Sequence, residues 1–345
     1  MVCTWWRGAR AGALTAAFVL GVGAGLAYES AVDRPAAPRV RATEAASVVA
    51  AVTRRAGPTG GALPGLDAIV SRLDPANGRA WSRVCSSGGA MSDPAVAVSP
   101  SGSVALAITF QGSIDCGTGP VVASAGPDDF DAVVVALDAA GTPAWARLLG
   151  DIGPQALAAV AFDPWGSVVI AGSFEGTIDL GGPPLTAESD LDILAAKLDP
   201  DGNLVWQRRF GLTGRNFGID VAVAPSGRVF LLARSASPLD LGTGPLHAGA
   251  ATTFVAELDH HGSTLWSRAF SGSGDVLATR LLPLDDGGAV LFGRFEGTAD
   301  FGSGPITSGD GGDLFVVRWT ASGAPRWSTP GHLQAGLGAA GEWLR

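Results

Sequence analysis

The fold is decided by residues 192–206, which read DILAAKLDPDGNLVW. The first seven residues are apolar apart from Asp192 and Lys197 near the ends, which is typical of a strand that is buried on both faces and meets water at one end. The next residues, Asp199-Pro-Asp-Gly202, favour a turn because proline presets φ and glycine allows a positive φ. A second short run of β-forming residues then leads to Trp206. The segment therefore predicts a β-hairpin.

This hairpin recurs about every sixty residues along the chain. Its tryptophan returns at spacings of 64, 61, 60 and 61 residues, as Trp81, Trp145, Trp206, Trp266 and Trp327. Seven residues before each tryptophan lie Asp74, Asp138, Asp199, Asp259 and Thr320, and seven before those lie Asp67, Asp131, Asp192, Thr252 and Asp313. A second kind of hairpin has a Pro-x-Gly turn, as in residues 96–106 and 221–231, with turn glycines at Gly102, Gly166, Gly227 and Gly288. A register held over five copies marks a repeat architecture.

Two antiparallel hairpins per unit, repeated radially, describe a β-propeller. We predict an all-β fold, a β-propeller of about five four-stranded antiparallel blades, with an incomplete or open array as the alternative. The chain contains four hairpins of the Pro-x-Gly kind and five of the tryptophan kind, which leaves one hairpin to find. It lies either around Ser47–Gly61 or in Leu333–Leu344, where it would pair with the first half-blade and close a ring.

Parts of these repeats resemble a known family. Residues 198–211, LDPDGNLVWQRRFG, and 174–182, FEGTIDLGG, resemble the bacterial β-propeller repeats of the SBBP type, and the likeness extends over residues 65–328. The resemblance implies a propeller fold and export, and it supplies no catalytic residues to transfer. Residues 133–145, VVVALDAAGTPAW, are similar to PQQ-like propeller repeats, but the adjacent cysteines and longer ring of the quinoprotein enzymes are absent from this sequence.

The N-terminal segment has the composition of an export signal. Arg7 and Arg10 precede the 17 uncharged residues Ala11–Ala27, and Gly25-Leu-Ala27 offers small residues for cleavage. The same length is at the short limit of a membrane span, so an uncleaved anchor is the alternative. We divide the chain into a signal peptide or anchor (1–31), an Ala/Pro/Arg-rich linker (32–64), the propeller repeats (65–330) and a degenerate tail (331–345) that is a candidate for closing the ring. The expected location is exported: periplasmic, cell-surface or extracellular.

The cysteines agree with export. Beyond the signal the chain has only Cys85 and Cys116, and an even pair in an oxidising compartment favours a disulfide over two buried thiols. The 31-residue separation of the two cysteines is also that of three apolar pairs: Leu149 and Leu180, Phe210 and Leu241, Phe270 and Phe301. We therefore expect the sulfurs to replace one apolar pair of the repeat.

Recurrent charges invite a structural and a metal-binding interpretation. Arg83, Arg147, Arg208 and Arg268 each precede by 32 residues an aspartate: Asp115, Asp179, Asp240 and Asp300. We predict arginine–carboxylate bridges, because a guanidinium can bind a carboxylate through two hydrogen bonds. A calcium-binding ring is the alternative, although a cation needs several oxygens at one point. Asp199-Pro-Asp201 lacks the downstream Glu of a calcium loop, which favours a simple turn.

Histidines and tryptophans outside the main pattern give further hypotheses. His260 and His261 are adjacent and would point in opposite directions in an extended strand. The sequence spacing therefore does not predict a metal site with His247, which would form only if the fold happened to bring the three side chains together. The sequence assigns no catalytic, cofactor-binding or metal-binding residue. Trp165 lies outside the tryptophan register and is a candidate for an exposed aromatic contact, whereas the five periodic tryptophans are expected to pack one blade on the next.

Composition and loop variation point to binding rather than catalysis. The net charge of −9 argues against a nucleic-acid surface, and no nucleophile motif is present. The loops that lead from each tryptophan strand to the next unit share one face and differ in sequence: residues 86–92, 151–155, 212–216 and 271–275. We predict an exported, non-catalytic propeller that binds a protein or a surface glycan on this face. Membrane contact would occur only through an uncleaved N-terminal segment.

Two other functions stay open from the sequence. A propeller enzyme, such as a glycan lyase or hydrolase or a quinoprotein relative, would gather non-periodic polar residues in a central pocket. The residues that would test this are Asp128, Asp129, Arg215, Asn216 and Asp310. The chain could instead be a fragment of a longer propeller protein.

Overall fold

The computed structural model describes Phe18–Leu20, Ser47–Arg54, Leu66–Asp74 and residues 78–124, 126, 129–247 and 252–331. Most of the predicted signal, much of the predicted linker and residues 332–345 of the predicted tail lie outside these residues. What is described is built of β-strands and turns. No described helix has the length and apolar character to cross a membrane.

The strands group into five repeated sheets, called blades below. The first blade contains β1 (Phe18–Leu20), β2 (Ser47–Arg54), β3 (Leu66–Asp74) and β4 (Gly78–Ser87). The second contains β5 (Ala95–Val98) and β6 (Val104–Gln111), the small hairpin β7 (Ser113–Asp115) and β8 (Val121–Val122), then β9 (Phe130–Leu137) and β10 (Pro143–Leu149). The third contains β11 (Gln155–Phe162), β12 (Val168–Phe174), β13 (Thr177–Ile178), β14 (Leu185–Thr186), β15 (Asp192–Leu198) and β16 (Leu204–Phe210).

The last two blades repeat this order. The fourth contains β17 (Asn216–Val223), β18 (Val229–Ser235), β19 (Leu239–Asp240), β20 (Pro245–Leu246), β21 (Thr252–Leu258) and β22 (Thr264–Phe270). The fifth contains β23 (Val276–Pro283), β24 (Ala289–Phe295), β25 (Thr298–Asp300), β26 (Pro305–Thr307), β27 (Asp313–Trp319) and β28 (Pro325–Gly331).

The main sheet of each blade from the second to the fifth has four antiparallel strands in chain order, for example β11-β12-β15-β16, and the small hairpin of the blade lies outside this sheet. The third strand of the third blade is buried along its whole length, as its apolar sequence predicts. Repeated blades of this kind confirm the prediction of an all-β, propeller-like fold. One detail of register is wrong: the fourth Pro-x-Gly-type turn, in the fifth blade, is closed by Gly287 (φ 80°), whose N–H donates to Leu284 O, and not by Gly288.

The first blade differs from the sequence-based division of the chain. Ser47–Arg54, assigned above to the linker, forms β2 and pairs with β3 from Ser47↔Leu73 to Arg54↔Leu66. The linker prediction does not hold for these residues, because an uninterrupted run of small and β-branched side chains fits a strand position. At its other edge β2 pairs with β1, from the predicted signal segment, as in Phe18↔Ala50 and Leu20↔Val48, and residues 55–61 of the sought hairpin lie outside the described residues.

Small hairpins that the sequence did not predict lie between the second and third strands of the blades. The two-residue strands β13 and β14, for example, pair Thr177 with Thr186 and Ile178 with Leu185. Three of the described small hairpins form a hydrogen bond with the loop that leaves the preceding blade: the Thr177 N–H donates to Ile152 O, the Gly88 N–H to Ser113 O and the Ser273 N–H to Thr298 O, each at 2.9 Å. They therefore join neighbouring blades at the loop face.

Four periodic tryptophans mark the junctions between blades, as predicted. Each lies against the turn glycine of the following blade: Trp81 at Gly141, Trp145 at Gly202, Trp206 at Gly262 and Trp266 at Gly323. Three indole N–H groups donate to carbonyls of these turns, Trp81 to Ala139 O, Trp145 to Pro200 O and Trp206 to His260 O, at 2.8 to 3.1 Å. The fourth, Trp266, donates to the buried carboxylate of Glu257 instead.

The predicted disulfide is confirmed. Cys85 in β4 and Cys116 after β7 are bonded, and both are buried, so the bond joins the first blade to the second. The equivalent apolar pairs are buried too, and the rings of Phe270 and Phe301 lie 5.7 Å apart. The sulfurs thus replace one apolar contact of the repeat.

The predicted arginine–aspartate bridges are wrong. Arg147 donates to Gly202 O at 2.9 Å and to Leu180 O at 2.9 Å, and Arg208 donates to Gly262 O at 2.8 Å. The aspartates accept from their own turns, as when the Gly181 N–H donates to Asp179 at 2.6 Å. The arginines therefore still join neighbouring blades, but they do so by donating to backbone carbonyl oxygens of the following blade and not to carboxylates.

Another set of contacts joins the inner strands. Bulges at Leu157, Gly218 and Ala278 interrupt the pairing of β11, β17 and β23 at the same position. A bulge frees a backbone N–H from the ladder. Each of these N–H groups donates to a hydroxyl of the preceding blade, Leu157 to Thr109, Gly218 to Ser173 and Ala278 to Thr253, at 3.0 to 3.1 Å.

Candidate binding surface on the loop face

The loop face of the third and fourth blades carries five residues, here called the loop-face cluster: Ile152, Glu175, Arg215, Phe217 and Arg234. The last four are connected by successive side-chain contacts. Ile152, in the loop between β10 and β11, is 65 % exposed. Its carbonyl accepts from Thr177, next to the hairpin turn that holds Glu175. The cluster therefore crosses from one blade to the next.

Charge and aromatic contacts connect the rest of the cluster. The Arg215 guanidinium lies 3.1 Å from a Glu175 carboxylate oxygen. The Phe217 ring lies 5.9 Å from the Arg215 guanidinium carbon and 5.5 Å from that of Arg234. Two guanidiniums near one ring are a cation–π arrangement that keeps both side chains extended over an apolar surface. Arg234 is exposed, and no described carboxylate forms an ion pair with it.

A buried polar network fixes the loop that carries Arg215. Asn216 is fully buried, and its Nδ2 donates to Leu191 O at 3.1 Å and to Ser189 Oγ at 3.1 Å. Ser189 donates in turn to the buried Asp192 carboxylate, which also binds Arg209 at 2.7 Å. Burial alone would raise the pKa of Asp192, but these hydrogen bonds outweigh it and hold the pKa below its usual value. The loop is therefore supported by an ionised carboxylate in the protein interior.

The main residues of this surface do not follow the repeat. Where the fourth blade has Arg215 and Phe217, the third has Pro154 and Ala156, and the fifth has Asp275 and Leu277. Residues that hold the blades together recur from blade to blade. Arg215 and Phe217 do not recur, so they are not needed to hold the blades together. Arg215 and Asn216 could be recognised in the sequence because they do not follow the repeat. Phe217 could not, because its contact with Arg234 depends on the pairing of two strands.

The residues named as a test for an enzyme are not brought together. Arg215 and Asn216 are adjacent where the loop meets β17, Asp129 lies beside β9 in the second blade, and Asp310 is exposed on a turn of the fifth. Among the residues described, no hydrogen bond or ion pair links these sites. Asp128 lies outside the described residues.

Two buried carboxyl groups have pKa values above the usual range, at separate positions. Burial raises the pKa of Asp131, against hydrogen bonds from Ser124, and the nearby charges of Asp129 and Asp151 raise it further. Burial also raises the pKa of Asp220, on the inner strand β17, although the Leu281 N–H donates to it at 2.9 Å and Arg280 lies 3.4 Å away. Asp220 thus connects the fourth blade to the fifth.

The metal hypotheses gain no geometric support. No group of three or more His, Cys, Asp or Glu side chains is placed to hold a metal ion within the described part of the chain. Asp199 closes a turn by accepting from the N–H groups of Asp201 at 3.0 Å and Asn203 at 2.7 Å, as the turn interpretation expects. His260 and His261 do not point apart: they lie in a turn and not in a strand, and their rings are 3.8 Å apart.

The opposite face, formed by the tight turns, carries an exposed tryptophan with structural contacts. Trp165 is 62 % exposed, and it lies against the turn glycine Gly227 of the next blade. Lys197 is 5.6 Å from its ring centre and forms an ion pair with the buried Asp163 at 2.6 Å. The exposure agrees with the sequence hypothesis, but the ring also packs between blades.

Comparison with known proteins does not define a family. No protein-family model matches this chain, and no curated protein matches it. Among solved structures, a chain titled "Crystal structure of the eukaryotic initiation factor" is similar with a TM-score of 0.31 at 10 % identity, covering 82 % of this chain and 75 % of that one. At such a TM-score the likeness carries no argument about fold or function.

Proposed function

We propose that this protein is an exported, non-catalytic binding or scaffold module, and that it contacts a protein or a surface glycan through the loop-face cluster. The observation that carries the proposal is the pairing of exposed, non-repeating side chains with a buried support. Arg215 is exposed in the loop before β17, and Phe217 is half-buried near the start of that strand. Asn216, between them, holds this segment through several hydrogen bonds. Loops on a rigid frame are the usual place for a binding site.

The chemistry of the cluster favours a ligand that presents carboxylate groups. Arg215 already has Glu175 as an ion-pair partner, whereas Arg234 is exposed and its guanidinium lies against Phe217. A guanidinium donates to a carboxylate in two parallel hydrogen bonds. Beside it, Phe217 offers apolar area, and the exposed Ile152 adds apolar area at the other end of the cluster. An acidic glycan or an acidic segment of a protein fits both features.

The disulfide supports export as the setting of this function. A buried Cys85–Cys116 bond is compatible with an oxidising environment outside the cytoplasm. Contact with a surface glycan or an exported protein would occur in the same compartment.

Binding to two acidic probes tests the proposal. Polygalacturonate and poly-L-glutamate would be titrated against the full chain by calorimetry, with neutral dextran as the reference. We expect at least one acidic probe to bind, and Arg234→Ala to weaken it about tenfold or more, the effect of losing one charge-assisted hydrogen bond.

The matched control is Arg326→Ala, which removes an exposed arginine from the fifth blade beside Asp286. This variant should bind as the unchanged protein does. Equal weakening of binding in both variants would show that the probe is attracted by overall charge alone. If neither acidic probe binds, an acidic ligand is excluded. Both outcomes contradict the proposal.

A further inference from the structure

The two end blades each leave one face uncovered. Leu314 in the fifth blade is 44 % exposed. The residues at its register position in the other blades are Ala68, Ala132, Ile193 and Thr253, and each is at most 1 % exposed. In the first blade Ile69 is 36 % exposed, while its equivalents Val133, Leu194, Phe254 and Phe315 are again at most 1 % exposed. Burial is therefore lost only at the ends of the array.

The uncovered faces are opposite faces of the repeat. Leu314 and Ile69 occupy neighbouring register positions, and successive side chains of a strand point to opposite sides of the sheet. At the internal junctions these two positions meet. Ala132 lies in one hydrophobic cluster with Leu194, and Ile193 lies in another with Phe254. At the last junction Val255, two residues after Thr253 and on the same face of its strand, lies in a cluster with Phe315. The face with Leu314 is thus the complement of the face with Ile69.

The tryptophan junction shows the same incompleteness. Trp327 holds the register position of the four tryptophans that lie against a glycine of the next blade, yet it lies against no described glycine. At the other end, Asn77 holds the register position of these glycines in the first tryptophan hairpin, so the first blade has no glycine in register with them. The fifth blade therefore has the tryptophan of a junction without a described glycine partner.

We infer that the chain associates head to tail with a second copy, the fifth blade of one molecule packing on the first blade of the next. Within the described residues, no strand of the first blade makes an extended contact with a strand of the fifth in the same molecule. The second copy offers the complement of the uncovered apolar face. Such a contact joins two different surfaces, so it builds rings or filaments.

Sedimentation velocity of the full chain over a wide concentration range tests the inference. We expect larger species to grow with concentration, and Leu314→Asp to abolish them by placing a charge in the junction. Val205→Asp is the control, because Val205 is also half-exposed but lies on the outer strand of the third blade. It should associate as the unchanged protein does. A protein that is monomeric at every concentration, or association that Leu314→Asp does not reduce, overturns the inference.

Cysteine pairing separates a second copy from closure of one molecule, and it needs only variants that fold. Chains with Leu314→Cys are mixed with chains with Ile69→Cys and oxidised, and circular dichroism verifies that each remains folded. A disulfide-linked dimer that contains one chain of each kind supports the inference. In a chain with both substitutions, an intramolecular disulfide in a monomer would show that the first and fifth blades meet within one molecule and would contradict it.

Discussion

Trp206 of the third blade lies so close to Gly262 of the fourth that a Cβ added at Gly262 would stand 2.7 Å from the indole. The indole N–H also donates to His260 O at 3.1 Å. Gly262 has a φ of 78°, a conformation that favours glycine, so the turn and the close approach require the same residue. The contact recurs at four junctions, between tryptophans and glycines that lie 60, 57, 56 and 57 residues apart in the sequence, close to the length of one repeat.

The disulfide should stabilise the junction between the first and second blades. Replacing both Cys85 and Cys116 by alanine is expected to lower the free energy of unfolding by about 2–4 kcal/mol, from the lost constraint on the unfolded chain. Urea unfolding with and without a reductant measures this. Replacement of both cysteines by leucine should recover part of the loss, since Leu149 and Leu180 fill the equivalent site. Equal stability of the alanine variant and the oxidised protein would contradict a structural role.

Much of the fold follows from the periodicity of the sequence. Regular spacing of Trp145, Trp206 and Trp266 predicts the junctions, and the equal separations of Cys85–Cys116 and Leu149–Leu180 predict the disulfide. These features can be read from the sequence because the same contact between blades is made by the same type of residue in each repeat. The long apolar third strands are predicted for the same reason.

Features that depend on the backbone could not be predicted in this way. Arg147 pairs with carbonyl oxygens, which leave no mark in a pattern of side chains, so the aspartate 32 residues later was the wrong partner. Small hairpins such as β13 and β14 have two-residue strands, too short for any alternation to appear. Of the candidate site, Arg215 was noticed because it breaks the repeat, whereas Arg234 comes near Phe217 only through strand pairing.

The hydroxyl of Ser173 should contribute to the stability of the fold. It accepts the N–H of Gly218 that the bulge in β17 frees, so Ser173→Ala would leave a buried donor without a partner. We expect a loss of about 1–3 kcal/mol in the free energy of unfolding, measured by chemical denaturation. Ser173→Thr is the control, because Thr109 does the same for Leu157 one blade earlier. A loss in the threonine variant as large as in the alanine variant would argue against this hydrogen bond.

Asp220 should make stability depend on pH. Its pKa is raised in the folded protein by burial, so between the ordinary carboxyl pKa and this raised value the folded state binds more protons than the unfolded state. Stability should therefore fall as pH rises through that interval, and it should be fully free of this cost below the ordinary pKa of about 4. Urea unfolding from about pH 4 to pH 7 should show a weaker fall for Asp220→Asn than for the unchanged protein.

Other carboxyl groups shape both profiles: Asp131, whose pKa is raised, adds a decline with rising pH, and Asp192, whose pKa is lowered, adds an increase, so the difference between the two proteins is what reports on Asp220. The amide oxygen of the introduced asparagine can still accept from the Leu281 N–H, so the variant should remain folded. Identical pH profiles for the two proteins would show that Asp220 does not titrate with a raised pKa.

A double-mutant cycle on Trp206 and Gly262 tests the central claim, that neighbouring blades are joined by tryptophan against glycine, most directly. The free energy of unfolding would be measured for Trp206→Ala, Gly262→Ala and the double variant. Gly262→Ala should cost about 2–5 kcal/mol in the unchanged protein, from left-handed strain and collision with the indole, and only about 1–2 kcal/mol where Trp206 is already alanine. A cost of Gly262→Ala that agrees within about 0.5 kcal/mol in the two backgrounds would mean that the residues do not touch, and would contradict the account.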